Sequence, residues 1–106
     1  DVAVKDFDES GRVVRLQDKT GTHTYTYAVD ENGRVRSRFE HTVKAEGGAP
    51  VEKTTYYDLA GRVIGIKEEG QETKTSYVLD DKGNILSSLD TVTISVGPQS
   101  FTQQIR

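Results

Sequence analysis

The sequence contains no cysteine, no methionine, no tryptophan and only two prolines. Without cysteine, the fold uses neither disulfides nor thiolate metal sites. The sequence therefore does not indicate whether the protein resides in an oxidising or a reducing compartment. No stretch of about 18 consecutive apolar residues occurs, so no transmembrane segment is predicted. The net charge of −3 gives a mildly acidic surface, which predicts no nucleic-acid partner. The chain does not begin with methionine, as expected of a processed or cut polypeptide.

Apolar residues are scarce as well. Hydrophobic residues with tyrosine included make up 33% of the chain, whereas soluble domains carry roughly 45–50% with glycine included. The sequence therefore predicts a thin core. Valine is the commonest apolar residue, and threonine is frequent, which favours strands over helices.

The most informative feature is a repeated motif, Asp-x-x-Gly, which occurs five times. Four copies lie in a longer frame: FDESGRV, VDENGRV, YDLAGRV and LDDKGNI, with Asp-to-Asp steps of 22, 28 and 22 residues. Repeats of this length indicate a repeat architecture. We predict one β-repeat domain over residues 1–106, made of two half-units at about 1–50 and 51–106.

Polar and apolar residues alternate with a period of two between the turns, which is typical of strands. In one example, Tyr25, Tyr27 and Val29 share a face, and Thr24 and Thr26 lie on the other. The expected fold is all-β, an antiparallel meander of about nine strands from tandem β-hairpins, twisted and curling toward a sandwich or half-barrel. The predicted strands cover residues 2–7, 12–17, 22–29, 34–44, 51–57, 62–68, 72–79, 84–96 (with a break near Asp90) and 100–105.

Turn chemistry explains the motif. Aspartate is favoured at the first position of a type I turn, where it accepts from backbone amides, and glycine supplies the left-handed residue of a following bulge. The residue before each Asp, and the Val or Ile two residues after each Gly, are expected in the core. The predicted structural turn residues are Asp8, Gly11, Asp18, Gly21, Asp30, Gly33, Asp58, Gly61, Asp80 and Gly83.

These residues resemble the YD repeat of Rhs-type bacterial proteins. The resemblance rests on YDLAGRV at 57–63, on Tyr25-x-Tyr27-x-x-Asp30 and on Tyr56-Tyr57-Asp58, and it covers roughly residues 7–90. It implies a spiralling β-sheet of a cargo shell or an adhesive rod. It also implies an extracytoplasmic location: periplasmic, cell-surface or secreted. Small exported bacterial proteins built from a few such hairpins are the closer analogy, because four repeats are too few to enclose a cargo.

One strand carries a stripe of arginines, Arg34, Arg36 and Arg38, which alternation places on a single face. They form a candidate surface for a phosphate or carboxylate, with Arg12, Arg15 and Arg62 expected nearby. Beside Tyr25 and Tyr27, the stripe also suits single-stranded nucleic acid, against which the net acidity argues. The tyrosines, with Tyr56 among them, also suit a carbohydrate platform. The simpler interpretation is a solvated strand face with cross-strand charge pairs, and aromatic pairs that stabilise the sheet.

No catalytic or metal-binding pattern stands out. His23 and His41 are the only histidines, and neither has a second ligand at metal spacing. The loop aspartates lack the alternating oxygen ligands of calcium loops, so we interpret them as turn residues. The prediction is no cofactor, no metal and no enzyme activity.

The expected function is that of a non-catalytic exported module. It would bind a protein or carbohydrate partner at the cell envelope through sheet faces or open strand edges. The alternative is a structural fragment of a larger Rhs-like shell or surface rod. A homodimer that covers the open face is a further expectation.

Overall fold

Nine β-strands follow one another in the computed structural model, which describes residues 3–105. They are β1 (Val4–Phe7), β2 (Val13–Asp18), β3 (Gly21–Val29), β4 (Val35–Lys44), β5 (Val51–Tyr57), β6 (Val63–Glu68), β7 (Gln71–Leu79), β8 (Ile85–Val96) and β9 (Gln99–Ile105). The described residues contain no helix, which confirms the all-β class. The bounds of β2 to β9 differ from the predicted ones by at most one residue, and β8 runs through Asp90 without a break. The predicted first strand began at residue 2, which lies outside the described residues.

The strands form one antiparallel sheet in the order β1 to β9, which confirms the meander. Each strand contacts only the strands directly before and after it in the chain. The sheet therefore remains a single layer, and it neither folds over into a sandwich nor closes into a barrel. Its extents are 43 × 39 × 28 Å. Since one sheet layer is about 10 Å thick, the smallest extent shows strong twist and curl.

Four hairpin turns share one construction. At Asp30, one carboxylate oxygen accepts from the backbone amides of Asn32 and Arg34, both at 2.9 Å. A bulge follows the turn on β4, where Val35 pairs with Val29 and Ser37 with Ala28, so that Arg36 is the extra residue. One carboxylate oxygen likewise accepts hydrogen bonds from two backbone amides at Asp8, Asp58 and Asp80. The glycines of the four turns have φ between +81° and +85°. Because a meander alternates strand direction, all four turns lie at the same end of the sheet.

The Asp18 turn differs from the other four. Asp18 pairs directly with Gly21 without a bulge, so only Lys19 and Thr20 form the turn. Gly21 has φ of +143° and pairs with Lys44 inside the sheet. The expected positive φ is therefore present at Gly21, but the expected bulge after the turn is not, because Gly21 is the first residue of β3 and pairs directly with Asp18.

The expected core is absent from the described part of the chain, where no apolar side chain is buried. Phe7, which precedes Asp8, is 57% exposed, and Val29, which precedes Asp30, is 43% exposed. The prediction that these residues enter a core is wrong for a physical reason. A single layer has no second layer to cover either of its faces.

The two half-units repeat the same contacts 50 residues apart. The Tyr27 hydroxyl donates to the Val13 carbonyl at 2.6 Å, and Tyr77 donates in the same way to Val63. The Arg12 guanidinium lies 5.8 Å from the Tyr27 ring centre, and the Arg62 guanidinium 5.7 Å from that of Tyr77. Strands β1–β4 thus correspond to β5–β8, and the β4–β5 ladder joins the halves into one sheet.

Candidate functional site

The sheet has two distinct faces. Residues directly opposite each other on neighbouring strands share a face, and the pairs Tyr25–Glu40 and Tyr27–Arg38 define what we call the tyrosine face. The other face carries Tyr56, which lies opposite Ser37 on one side and Gly65 on the other. The predicted surface is therefore divided. Tyr25, Tyr27 and Arg38 lie together, and Tyr56 lies on the opposite side.

A groove of about 580 Å³ lies on the tyrosine face, near the end that carries the four aspartate turns. Its lining includes three arginines, two tyrosines and the turn at 58–61. We call it the arginine groove, and its main lining residues are Arg12, Tyr27, Arg34, Arg38, Tyr57 and Leu59. The sequence predicted Arg34, Arg38 and Tyr27 for this surface. It also placed Arg12 nearby, but it did not predict the 58–61 wall, since this comes from another hairpin.

Arg38 occupies an unusual position. Its guanidinium lies 5.4 Å from the centre of the Tyr25 ring, a cation–π arrangement. Its Nε is buried and has no hydrogen-bond partner. Buried polar atoms are almost always paired, because an unpaired one loses its hydration without compensation. Arg38 is thus a half-buried cation with an unused donor beside an open groove.

The three arginines of the predicted stripe do not act as one surface. Arg34 lines the groove with Arg38, but the β4 bulge redirects Arg36. The Arg36 Nε donates to the Tyr57 carbonyl at 3.4 Å, and its Nη1 lies 4.0 Å from the Asp30 carboxylate. A one-residue bulge breaks the alternation on which the single-face prediction rested.

The groove carries excess positive charge. Arg12 lies 3.6 Å from the Asp8 carboxylate, and Asp58, the acidic residue in the groove wall, is paired with Arg62 at 2.8 Å. Within residues 3–105, no carboxylate lies within ion-pair distance of Arg34 or Arg38. Neither arginine therefore forms an ion pair at contact distance with the described chain, although the charge of Arg34 helps to lower the pKa of Asp30.

The neighbouring tyrosine hydroxyls stay protonated at neutral pH. Partial burial raises the pKa of both Tyr25 and Tyr27, because the phenolate would lose hydration. The Tyr27 hydroxyl is also committed to the Val13 carbonyl. These side chains support the groove as neutral rings.

Tyr56 has a structural contact on the opposite face. Gly65 is buried there, and a Cβ added to it would lie 3.4 Å from the Tyr56 ring. An aromatic side chain that lies over a glycine on the neighbouring strand shields the exposed backbone. This contact supports the sheet-stabilising interpretation of Tyr56.

A second polar cluster surrounds His23, at the other end of the sheet. The His23 ring contacts the hydroxyls of Thr20 at 3.1 Å and Thr42 at 2.8 Å. The carboxylates of Asp18 and Glu40 lie 3.6 and 3.5 Å from its two nitrogens. His23 lies on β3 opposite Leu16, near the turn at 19–20, and the sequence did not indicate this acidic surrounding. His41 belongs to the opposite face, beside Glu52.

The turn aspartates are held in the ionised state. Backbone hydrogen bonds, from Arg12 to Asp8 and from Arg34 to Asp30, are the largest influence that lowers the pKa of these carboxyls. At Asp58, burial raises the pKa, but hydrogen bonds from the backbone and side chain of Arg62 outweigh it. Such carboxylates bind backbone amides strongly and are poor proton donors.

Neither a metal cluster nor a spanning helix is found in the described ranges. No group of three or more His, Asp or Glu side chains among residues 3–105 could hold a metal ion. The same residues contain no helix that is long and apolar enough to cross a bilayer.

The second half-unit lacks the groove residues that carry unpaired charge. Fifty residues on, Asn84 stands in place of Arg34, Ser88 in place of Arg38, and Thr75 in place of Tyr25. The Arg12–Tyr27 pair, in contrast, is retained as Arg62–Tyr77. Direct alignment of the two half-units would have found this signal in the sequence.

No protein-family model matches the chain, and no curated protein is similar enough to count as a match.

Proposed function

We propose that this chain is a non-catalytic interaction module of the YD-repeat kind, which binds a protein or carbohydrate partner outside the cytoplasm. One observation carries the proposal: no apolar side chain among residues 3–105 is buried. Folded domains of this size cover much of their apolar surface. Contiguous apolar surface that stays open marks an interaction site.

Most of the exposed large apolar residues lie on strands, on β1, β3 to β5 and β7 to β9, and Leu59 lies in a turn. Phe7 on β1 and Phe101 on β9 are each 57% exposed, and Leu86 on β8 is 65% exposed. Within residues 3–105, strands β1 and β9 also leave one backbone edge each without a partner strand. Open edges add strands from other chains through backbone hydrogen bonds. A partner that pairs with an edge and covers the adjacent face would satisfy both features.

Photo-crosslinking tests this proposal. A photoreactive phenylalanine analogue replaces Phe101 in one variant and Phe7 in another, and each variant is expressed in the producer cell. The same analogue at Lys82, an exposed turn residue, is the matched control. We expect one defined envelope protein or glycan to crosslink at Phe101 or Phe7 but not at Lys82, and to bind the chain when purified. Crosslinking equal to that of Lys82 at both positions would contradict the proposal.

A second candidate function is that of a structural segment in a larger Rhs-like shell or rod. The repeat itself favours it, since β4 and β5 join one half-unit to the next through an ordinary ladder. The same ladder at β1 or β9 would add further half-units. An immunoblot of fractionated producer cells distinguishes the candidates. A band near 11.7 kDa in the envelope or medium supports the module, and a band several times larger supports the shell or rod.

A further inference from the structure

We propose that the arginine groove binds an acidic segment of a protein partner, through carboxylates held by Arg34 and Arg38. This inference rests on the proposed function and deepens it by naming the contact. The groove carries positive charge that no nearby carboxylate of the described residues pairs. Arg12, Arg15, Arg36 and Arg62 each lie within 4.0 Å of a carboxylate of the chain, whereas Arg34 and Arg38 have no such partner among residues 3–105.

The fold does not need these two arginines. The second half-unit builds the same hairpins, the same tyrosine hydrogen bond and the same cation–π pair with Asn84 and Ser88 at the equivalent positions. Burial of the Arg38 Nε without a hydrogen-bond partner costs free energy. A side chain that the scaffold does not require, and that leaves a buried donor unused, is explained by a ligand that accepts from it.

The groove suits a carboxylate better than a phosphate. Phosphate sites commonly use several free backbone amides. Here the amides of Ala60 and Arg62 donate to the Asp58 carboxylate, and the Gly61 amide donates to the Asp58 carbonyl. The groove is left with guanidinium forks, whose planar geometry matches a carboxylate.

The groove suits a peptide better than a sugar. Sugar sites stack on free aromatic faces, but Arg12 lies over the Tyr27 ring and Arg38 over the Tyr25 ring, which leaves Tyr57 as the groove tyrosine without an arginine over it among the described residues. The rest of the wall includes aliphatic side chains, among them Val35 and Leu59, which is 61% exposed. Aliphatic surface beside two free cations suits a peptide in which acidic and apolar side chains alternate.

Amide NMR titration of the full chain tests the inference. The probe is an acetylated hexapeptide that alternates Glu and Leu, and the control probe carries Gln in place of Glu. We expect the Glu peptide to shift amide signals at residues 34–38 and 57–61, and the Gln peptide to bind at least tenfold more weakly. Added salt should weaken the Glu peptide only.

Variants locate the contact. Arg34→Asn with Arg38→Ser installs the residues that the fold already carries at 84 and 88, and we expect at least a tenfold loss of affinity. Lys74→Ser removes one charge from the opposite face, where Lys74 is 75% exposed, and should leave affinity unchanged. Should the double variant unfold, Arg34→Asn alone gives the answer, because Arg34 is exposed. It should weaken binding at least threefold.

Other results would overturn the inference. One such result is that the Glu peptide shifts no amide signals, and another is that the shifts survive the double substitution. A third is that hexagalacturonate or a single-stranded hexanucleotide binds the same groove as tightly as the Glu peptide or more tightly. Such a result would leave the proposed function standing if Phe101 or Phe7 still crosslinks a partner. Loss of the crosslinks with the groove intact would instead count against the proposed function alone.

Discussion

Gly33 and Gly61 adopt a left-handed backbone conformation, with φ of +81° and +83°. No neighbouring heavy atom lies within 4 Å of a Cβ added at either position. Any effect of a side chain there is therefore backbone strain and not a clash. A β-branched residue is strongly disfavoured at positive φ, whereas asparagine tolerates it.

Gly33→Val and Gly61→Val should each lower the free energy of unfolding by about 1–3 kcal/mol, the usual cost of a strained backbone. The measurement is urea denaturation, with Gly33→Asn and Gly61→Asn as controls that should cost clearly less. A loss below about 0.3 kcal/mol for the valine variants would show that the left-handed conformation carries no strain.

Gly21 is needed for a different reason, the close approach of two backbones. A Cβ at Gly21 would lie 2.1 Å from the Val43 carbonyl oxygen and 2.9 Å from the Ala45 amide. Gly21→Ala should therefore destabilise the sheet by about 3 kcal/mol or more, at the upper end of single substitutions. Gly11→Ala, with open space around the Cβ, is the control and should cost less. Equal losses for the two variants in thermal unfolding would contradict the close approach of β3 and β4.

At the scale of elements, the sequence predicted the hairpins well because each one is encoded locally. Asp30, Gly33 and the alternation of Tyr25 and Tyr27 act within a few residues of each other. The groove was predicted only in part, because it combines hairpins far apart in sequence, such as Leu59 with Arg38. Local alternation also does not indicate where a bulge will turn a side chain such as Arg36.

The equivalent tyrosines of the two half-units should contribute equally to stability. Tyr27 and Tyr77 each donate a hydrogen bond to a carbonyl 14 residues earlier. Tyr27→Phe and Tyr77→Phe remove only that donor, and each should cost about 0.5–1.5 kcal/mol. Chemical denaturation of both variants measures this. A cost at one position and none at the other would show that the half-units are not equivalent.

The aspartate turns should make stability depend on pH in acid. Hydrogen bonds from the turn lower the pKa of Asp8, Asp30 and Asp80 below the ordinary aspartate value of 3.8. A lowered folded-state pKa gives stability that is complete above the unfolded-state value and is lost as the pH falls through the folded-state value. Unfolding midpoints should thus be level above about pH 5 and fall below about pH 4.

Asparagine at these positions keeps an acceptor oxygen but cannot titrate. Replacing Asp8, Asp30, Asp58 and Asp80 together with Asn should flatten the acid dependence and lower stability at neutral pH. An unchanged slope between pH 5 and 2 would assign the acid sensitivity to other carboxylates.

At the scale of the whole molecule, stability comes from the ladder and from cross-strand pairs, since no apolar side chain of residues 3–105 is buried. Each strand supports only its neighbours, as in other repeat proteins. This arrangement leaves two faces and two edges uncovered. The proposed binding role depends on that openness, because a chain that closed on itself would bury the surface offered to a partner.

Small-angle X-ray scattering in a dilution series tests most directly whether the sheet is open and single-layered, because it measures the radius of gyration in solution. The structure has a Cα radius of gyration of 16.4 Å, whereas a compact chain of this length would have about 13 Å. For the monomer at the lowest concentrations, we predict a radius of gyration near 16.4 Å; a homodimer that covers the open face would add a larger particle at higher concentrations. A monomer near about 13 Å would mean that the sheet folds over to cover its own face, and it would contradict the account.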